Sequence, residues 1–132
     1  MGAWGPGAFQ NDDAGDWVWD LESDDDGSVV IGALSIIVDT PIDEQPEATE
    51  CAHALAAAEV VASARGPRSL SLPDEAVVWI NAHGNRIDRS WLALASGAVE
   101  RVMIDSELKE LWDETGDDSW HQVVAELLAR LR

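Results

Sequence analysis

Residues 46–65, PEATECAHALAAAEVVASAR, are the segment from which the helical architecture is most directly predicted. Pro46 suits the first position of a helix, and Glu47 and Glu50 place negative charge in its first turn. Gly66, followed by a proline, ends the helix. One face carries small side chains that allow other helices to approach closely, so we expect this helix at the centre of the molecule. That face consists of Ala48, Ala52, Leu55, Ala58 and Ala62.

Helix caps and apolar spacing predict further short helices on both sides of this segment. They run from Asn11 or Asp12 to about Glu22, from Ser28 to Val38, from Pro73 to Gly84, from Arg89 to about Ile104, from Asp105 or Ser106 toward Gly116, and from there to Leu131. Residues 28–38 are rich in Val and Ile, which favour a strand locally. A lone strand would have no partner elsewhere in the chain, so we predict a buried helix there. We expect a single all-α domain, residues 1–132, built as an irregular bundle of six or seven short helices.

An N-terminal arm rich in Gly and Trp precedes the first helix. Gly5-Pro6-Gly7 interrupts both helix and strand, so the arm is predicted to be extended. Trp4 and Phe9 are costly to expose to water, and we expect both to pack against the body of the bundle.

The composition excludes several classes of protein. The 132 residues include 8 Lys and Arg against 26 Asp and Glu, a net charge of −18, which is the wrong sign for direct nucleic-acid binding. A single cysteine excludes an internal disulfide framework. No apolar run is long enough for a transmembrane helix, and the N-terminus lacks the pattern of a secretory signal. We therefore expect a cytoplasmic protein that does not bind a membrane.

The negative charge is concentrated in the first half of the chain. Residues 1–64 contain 14 acidic residues and no Lys or Arg, whereas residues 65–132 contain 12 acidic residues and all 8 basic ones. Such a charge promotes solubility, and it can also form a docking surface for a basic partner. The candidate partner-binding residues follow the first helix and the turn after it. They are Asp12, Asp16, Asp20, Glu22, Asp24, Asp25 and Asp26.

Two patterns in the sequence resemble parts of metal sites. Residues 22–27 resemble the start of a calcium loop, but its twelfth position is Ala33 in place of the closing carboxylate. Cys51 and His53 are two residues apart on a predicted helix, so their side chains point in different directions and do not chelate one ion. No metal site and no other cofactor are expected.

An enzyme built on helix-borne carboxylates is the alternative to a non-enzymatic domain. Di-metal helical sites combine two Glu-x-x-His pairs, and this chain offers one, Glu50 with His53. Cys51 lies in an alanine-rich segment, which favours a packing role over that of a nucleophile. A metal-dependent hydrolase is therefore kept only as the second hypothesis, and no catalytic residue is assigned.

Glu59 is an unusual residue because it lies within an apolar stretch of the predicted central helix. A carboxylate there needs a partner. One hypothesis is that Glu59 or an N-terminal Asp holds the arm through backbone N–H groups, the indole of Trp4 or the chain amine at Gly2. The other is that the stem of Glu59 bends to bring its carboxylate to solvent. Glu126 and Arg130 have the i,i+4 spacing of a helical ion pair.

Three segments of the chain resemble a bacterial family, domain of unknown function 4259. The segments are residues 2–14 (GAWGPGAFQNDDA), residues 57–62 (AAEVVA) and residues 106–114 (SELKELWDE), together with Trp120. The resemblance extends over nearly the whole chain and departs from the family pattern at Gly15 and in the β-branched segment, residues 28–38. It implies a small, stand-alone helical domain, and it implies no known catalytic residues.

The leading functional prediction is a non-enzymatic domain that uses its acidic N-terminal half to bind a basic protein. A toxin-neutralising immunity protein is one concrete form of this hypothesis, since such inhibitors are often small and acidic. A mimic of nucleic-acid charge, which occupies a DNA-binding groove, is a second form. Both forms predict association that weakens steeply as the salt concentration rises.

Overall fold

The fold is an all-α bundle of seven helices in the computed structural model, which describes residues 3–69 and 71–132. Met1, Gly2 and Leu70 lie outside the described residues, and so does the predicted contact to the chain amine. The helices are α1 (Asp12–Glu22), α2 (Ser28–Val38), α3 (Ala48–Arg65), α4 (Asp74–His83), α5 (Arg89–Ile104), α6 (Glu107–Thr115) and α7 (Ser119–Leu131). A 3₁₀ turn, Gly84–Arg86, joins α4 to the segment that leads into α5. Among these residues, no helix has the length and apolar content needed to cross a membrane.

Helix α3 is the centre of the bundle and packs against all six other α-helices. Its alanines permit this arrangement because a small side chain lets a neighbouring backbone approach closely from every direction. Twelve consecutive or nearly consecutive positions of α3 are buried, from Cys51 to Ser63. The prediction of a central helix is confirmed, although the helix begins at Ala48, two residues after Pro46, with Glu47 as its N-cap.

Residues 28–38 form a helix, as predicted, in spite of their β-branched content. The buried residues of α2 are Val30, Ala33, Leu34 and Ile37. Their i, i+3, i+4, i+7 spacing gives one apolar stripe, which packs between α3 and α5. Tertiary packing thus outweighs the local preference of Val and Ile for a strand.

The ends of the helices follow the capping residues in the sequence. The Asn11 side chain accepts a hydrogen bond of 2.8 Å from the N–H of Ala14 and starts α1. Asp88 caps α5 through the N–H of Ser90, and Ser106 caps α6 through the N–H of Lys109. Gly116, with a φ of 71°, takes the left-handed conformation that ends α6. These caps account for the agreement between predicted and observed boundaries.

The N-terminal arm is a closed loop rather than the extended segment that we predicted. Ala3 and Asn11 form an isolated antiparallel bridge, and the N–H of Trp4 donates to the carbonyl of Gln10. The side-chain oxygen of Gln10 accepts a hydrogen bond of 2.9 Å from the N–H of Gly7. A Cβ atom at Gly7 would collide with that side-chain amide, so the glycine lets the loop close around it.

The two aromatic residues of the arm differ in their surroundings. Phe9 packs against the core, as predicted. The prediction for Trp4 is wrong, because 66% of its surface is exposed. The loop uses Phe9 as its anchor and turns Trp4 toward solvent.

Candidate functional site

The candidate site is the acidic surface of α1 and of the turn that joins it to α2. Six of the seven predicted partner-binding carboxylates are exposed there. Asp12, Asp16 and Asp20 lie four residues apart on α1 and therefore share one side of that helix. We use the name acidic surface for this set, which consists of Asp12, Asp16, Asp20, Glu22, Asp25 and Asp26.

Little positive charge neutralises the acidic surface. Among the residues that the structure describes, none of the six carboxylates takes part in an ion pair. Arg86 reaches the turn, but its guanidinium donates to the carbonyl of Asp25 at 3.0 Å rather than to a carboxylate. Hydrogen bonds from Ser28 lower the pKa of Asp26, which keeps that carboxylate charged. The surface is therefore negatively charged at neutral pH.

Asp24 is the one predicted residue that does not lie on the acidic surface, because only 7% of it is exposed. One carboxylate oxygen accepts hydrogen bonds from the indole of Trp79 at 2.8 Å and from the N–H of Gly27 at 3.1 Å. The other oxygen accepts from the N–H of Val29 at 3.3 Å. Asp24 thus ties the α1–α2 turn to α4 and starts α2, and its oxygens are directed at these protein donors.

Exposed tryptophans lie beside the acidic surface, and the sequence reasoning missed them. Two neighbouring depressions along the seam between α1 and α4 share Glu22 and Glu75 in their lining, and we call the pair the α1–α4 furrow. Trp4 and Trp19 line one half of it, and Val78 lines the other, while Glu22 and Glu75 border both halves. The sequence held one signal: Trp19 follows the buried Trp17 by two residues, so the two rings face opposite sides of α1.

Glu59 is buried in α3, and its partner is Arg130 of α7 rather than the N-terminal arm. Arg130 donates a hydrogen bond of 2.7 Å to the Glu59 carboxylate, which also accepts one of 3.3 Å from Ser63. The guanidinium donates further to the carbonyl of Pro67 at 3.1 Å. Glu59 neither bonds to the described part of the arm nor reaches solvent, so both hypotheses are wrong for Glu59, and the predicted pair between Arg130 and Glu126 is wrong as well. The alternative in which an N-terminal Asp holds the arm stays a prediction. The amino-acid sequence alone could not reveal the pair between Glu59 and Arg130, because the two residues are 71 positions apart and meet only in the folded chain.

The alternative site around Glu50 and His53 is not assembled into a cluster of ligands. Glu50 borders an open concavity between the end of α2 and the start of α3, and His53 does not line it. Within the described part of the chain, no three His, Cys, Asp or Glu side chains lie close enough to hold one metal ion. Burial raises the pKa of the Cys51 thiol to about 11, so Cys51 is protonated at neutral pH.

Comparison with known protein families gives a match that covers most of the chain. Residues 2–123 match the family described as Domain of unknown function (DUF4259). No curated protein and no solved structure matches the chain.

Proposed function

This chain belongs to the DUF4259 family, and we propose that its acidic surface binds a basic protein partner. The observation that carries the proposal is the row of exposed carboxylates along α1 and the α1–α2 turn, which no Lys or Arg side chain pairs with in the described residues. Holding like charges side by side on a helix is unfavourable by a few tenths of a kcal/mol for each pair. A basic partner removes that cost on binding.

Complementary charge would act mainly on the rate of association. A field of one sign steers an oppositely charged partner toward the surface, and the effect decreases as salt screens it. A toxin-neutralising protein gains from this because it must reach its target before the target reaches its substrate. A mimic of nucleic-acid charge would use the same carboxylates in place of phosphates. In either form, the domain acts without catalysis, in the bacterial cytoplasm.

The test compares two triple variants that remove the same number of charges. Asp12→Asn, Asp16→Asn and Asp20→Asn together neutralise α1, whereas Glu114→Gln, Asp118→Asn and Glu126→Gln neutralise exposed residues of the other half of the chain. The probe is a fluorescein-labelled nona-lysine peptide, and its anisotropy is measured at about 50 mM and about 500 mM NaCl. The α1 variant is expected to lose most of the binding seen at low salt, and the matched control is expected to retain it.

Two results would contradict the proposal. Equal weakening by both triple variants would mean that the peptide responds to net charge and not to the acidic surface. Binding that is absent at low salt would remove the electrostatic basis altogether. Pull-downs from bacterial extract with the same two variants, at both salt concentrations, then identify a partner that depends on α1.

A further inference from the structure

The α1–α4 furrow exposes large apolar side chains that the core does not require. Trp19 is 72% exposed, Trp4 66% and Val78 66%, while Trp17 and Trp79 of the same two helices pack in the core. Exposed aromatic rings grouped at one place are unfavourable in water and are typical of binding surfaces. The grouping therefore calls for an occupant that covers the rings.

The carboxylates around the rings favour a cationic occupant. Glu22 and Glu75 border both halves of the furrow, and no Lys or Arg lines it among the described residues. Neither of these carboxylates belongs to an ion pair in the described part of the chain. A group that stacks on tryptophan and also pairs with a carboxylate has a flat, cationic head, and the arginine guanidinium is the side chain with that combination.

The half of the furrow that Trp4 and Trp19 line is large enough to hold one side chain. The half that Trp4 and Trp19 line has a volume of about 250 Å³. Gly15 also lines this half, and a Cβ atom added at Gly15 would meet no other atom within 4 Å. A larger side chain at this position can therefore occupy the furrow.

We propose that the α1–α4 furrow is the docking site for an arginine-bearing segment of the basic partner. An arginine enters the half lined by Trp4 and Trp19, stacks on an indole and pairs with Glu22 or Glu75. This inference rests on the proposed function and sharpens it, because the acidic surface attracts any polycation whereas the furrow selects arginine over lysine.

The experiment measures the binding of labelled nona-arginine and nona-lysine peptides to the whole chain. Trp19→Ala removes an exposed ring, and Gly15→Leu fills the furrow from its floor. Gly32→Leu is the matched control, since Gly32 is also helical and open but lies on α2. We expect Trp19→Ala and Gly15→Leu to weaken nona-arginine binding about tenfold while nona-lysine binding changes less than about twofold.

The other possible results distinguish failure of the furrow inference from failure of the proposed function. If the α1 triple variant weakens both peptides and the furrow variants weaken neither, the furrow inference is overturned and the proposed function stands. If neither peptide binds in a salt-dependent way, both fail. Sedimentation that shows self-association lost in Gly15→Leu would assign the furrow to a second copy of the chain and overturn the arginine assignment. Melting curves of the variants verify that each one is folded.

Discussion

At the scale of single residues, two buried carboxylates connect different helices through hydrogen bonds. Asp24 was predicted from its neighbours to be part of an acidic surface, yet its three hydrogen bonds join the α1–α2 turn to α4. Glu59 was identified as a carboxylate that needs a partner, and the structure supplies Arg130. Sequence reasoning detects that such a group is exceptional. It does not name the partner, because the partner comes from a distant segment.

Asp24→Asn is expected to destabilise the protein by about 2 kcal/mol, because buried N–H groups that now donate to the Asp24 carboxylate would lose an acceptor. An Asn side chain has one acceptor oxygen where Asp has two. Its NH₂ group would point at an N–H group that now donates to Asp24, and two donors cannot form a hydrogen bond with each other. Asp25→Asn is the control because Asp25 is exposed and adjacent. Urea unfolding gives both free energies, and an equal effect of the two substitutions would contradict the role assigned to Asp24.

Arg130→Met is expected to cost about 3 kcal/mol of unfolding free energy, because it leaves Glu59 buried without its cation. Combining it with Glu59→Gln should recover part of that loss, since the unpaired charge is then gone. Arg132→Met provides a control at an exposed ion pair with Glu100, which is worth at most about 1 kcal/mol. Urea unfolding of Arg130→Met, Glu59→Gln, the double variant and Arg132→Met measures these free energies. A double variant as unstable as the sum of the two single variants would refute the assignment.

At the scale of elements, capping and periodicity fixed most helix boundaries. The structure selects Asn11 from the predicted caps Asn11 and Asp12, and Ser106 from Asp105 and Ser106. Such caps are predictable to within a residue because a cap is a local hydrogen bond. The N-terminal arm was harder to predict. Its shape depends on the Gln10 side chain inside the loop, and no periodic pattern encodes that contact.

The helical glycines of α1 and α2 give a test of these elements. Gly15→Ala and Gly32→Ala are each expected to stabilise the protein by about 0.5–1 kcal/mol, because Ala is the better helix former and both positions are open. Gly27→Ala should have the opposite sign, since Gly27 has a φ of 85° and an added Cβ would collide with Trp91. Thermal unfolding of the three variants measures this, and a destabilised Gly15→Ala would contradict the packing described for α1.

At the scale of the whole molecule, the helices pack through apolar side chains, and most of the charged side chains lie outside that packing. Helix α3 gathers the other helices through its small side chains, and the carboxylates of the first half remain outside. The described residues contain three ion pairs of Lys or Arg and one contact between His121 and Asp113, and only the Glu59–Arg130 pair has a buried member. The net charge of −18 therefore acts mostly as unrelieved repulsion between exposed groups.

Added NaCl is expected to raise the melting temperature by several degrees between about 20 mM and about 500 mM, because the screening length falls below the spacing of many like charges. The α1 triple variant should respond less than the wild-type chain, since part of its repulsion has been removed. Calorimetry at a series of NaCl concentrations measures the effect. A melting temperature that falls with salt would mean that attractive ion pairs dominate the balance.

Local chemistry in the sequence was sufficient for most of the helices, the caps and the uneven charge, because propensity, spacing and composition act over one or two turns. Residues 28–38 are the exception, since their local preference is for a strand and their packing between α3 and α5 favours the helix. The burial of Asp24, the pairing of Glu59 with Arg130 and the meeting of Trp4 with Trp19 in one furrow required the folded chain. Each of these features joins segments from different elements, and their contact depends on how the helices pack around α3.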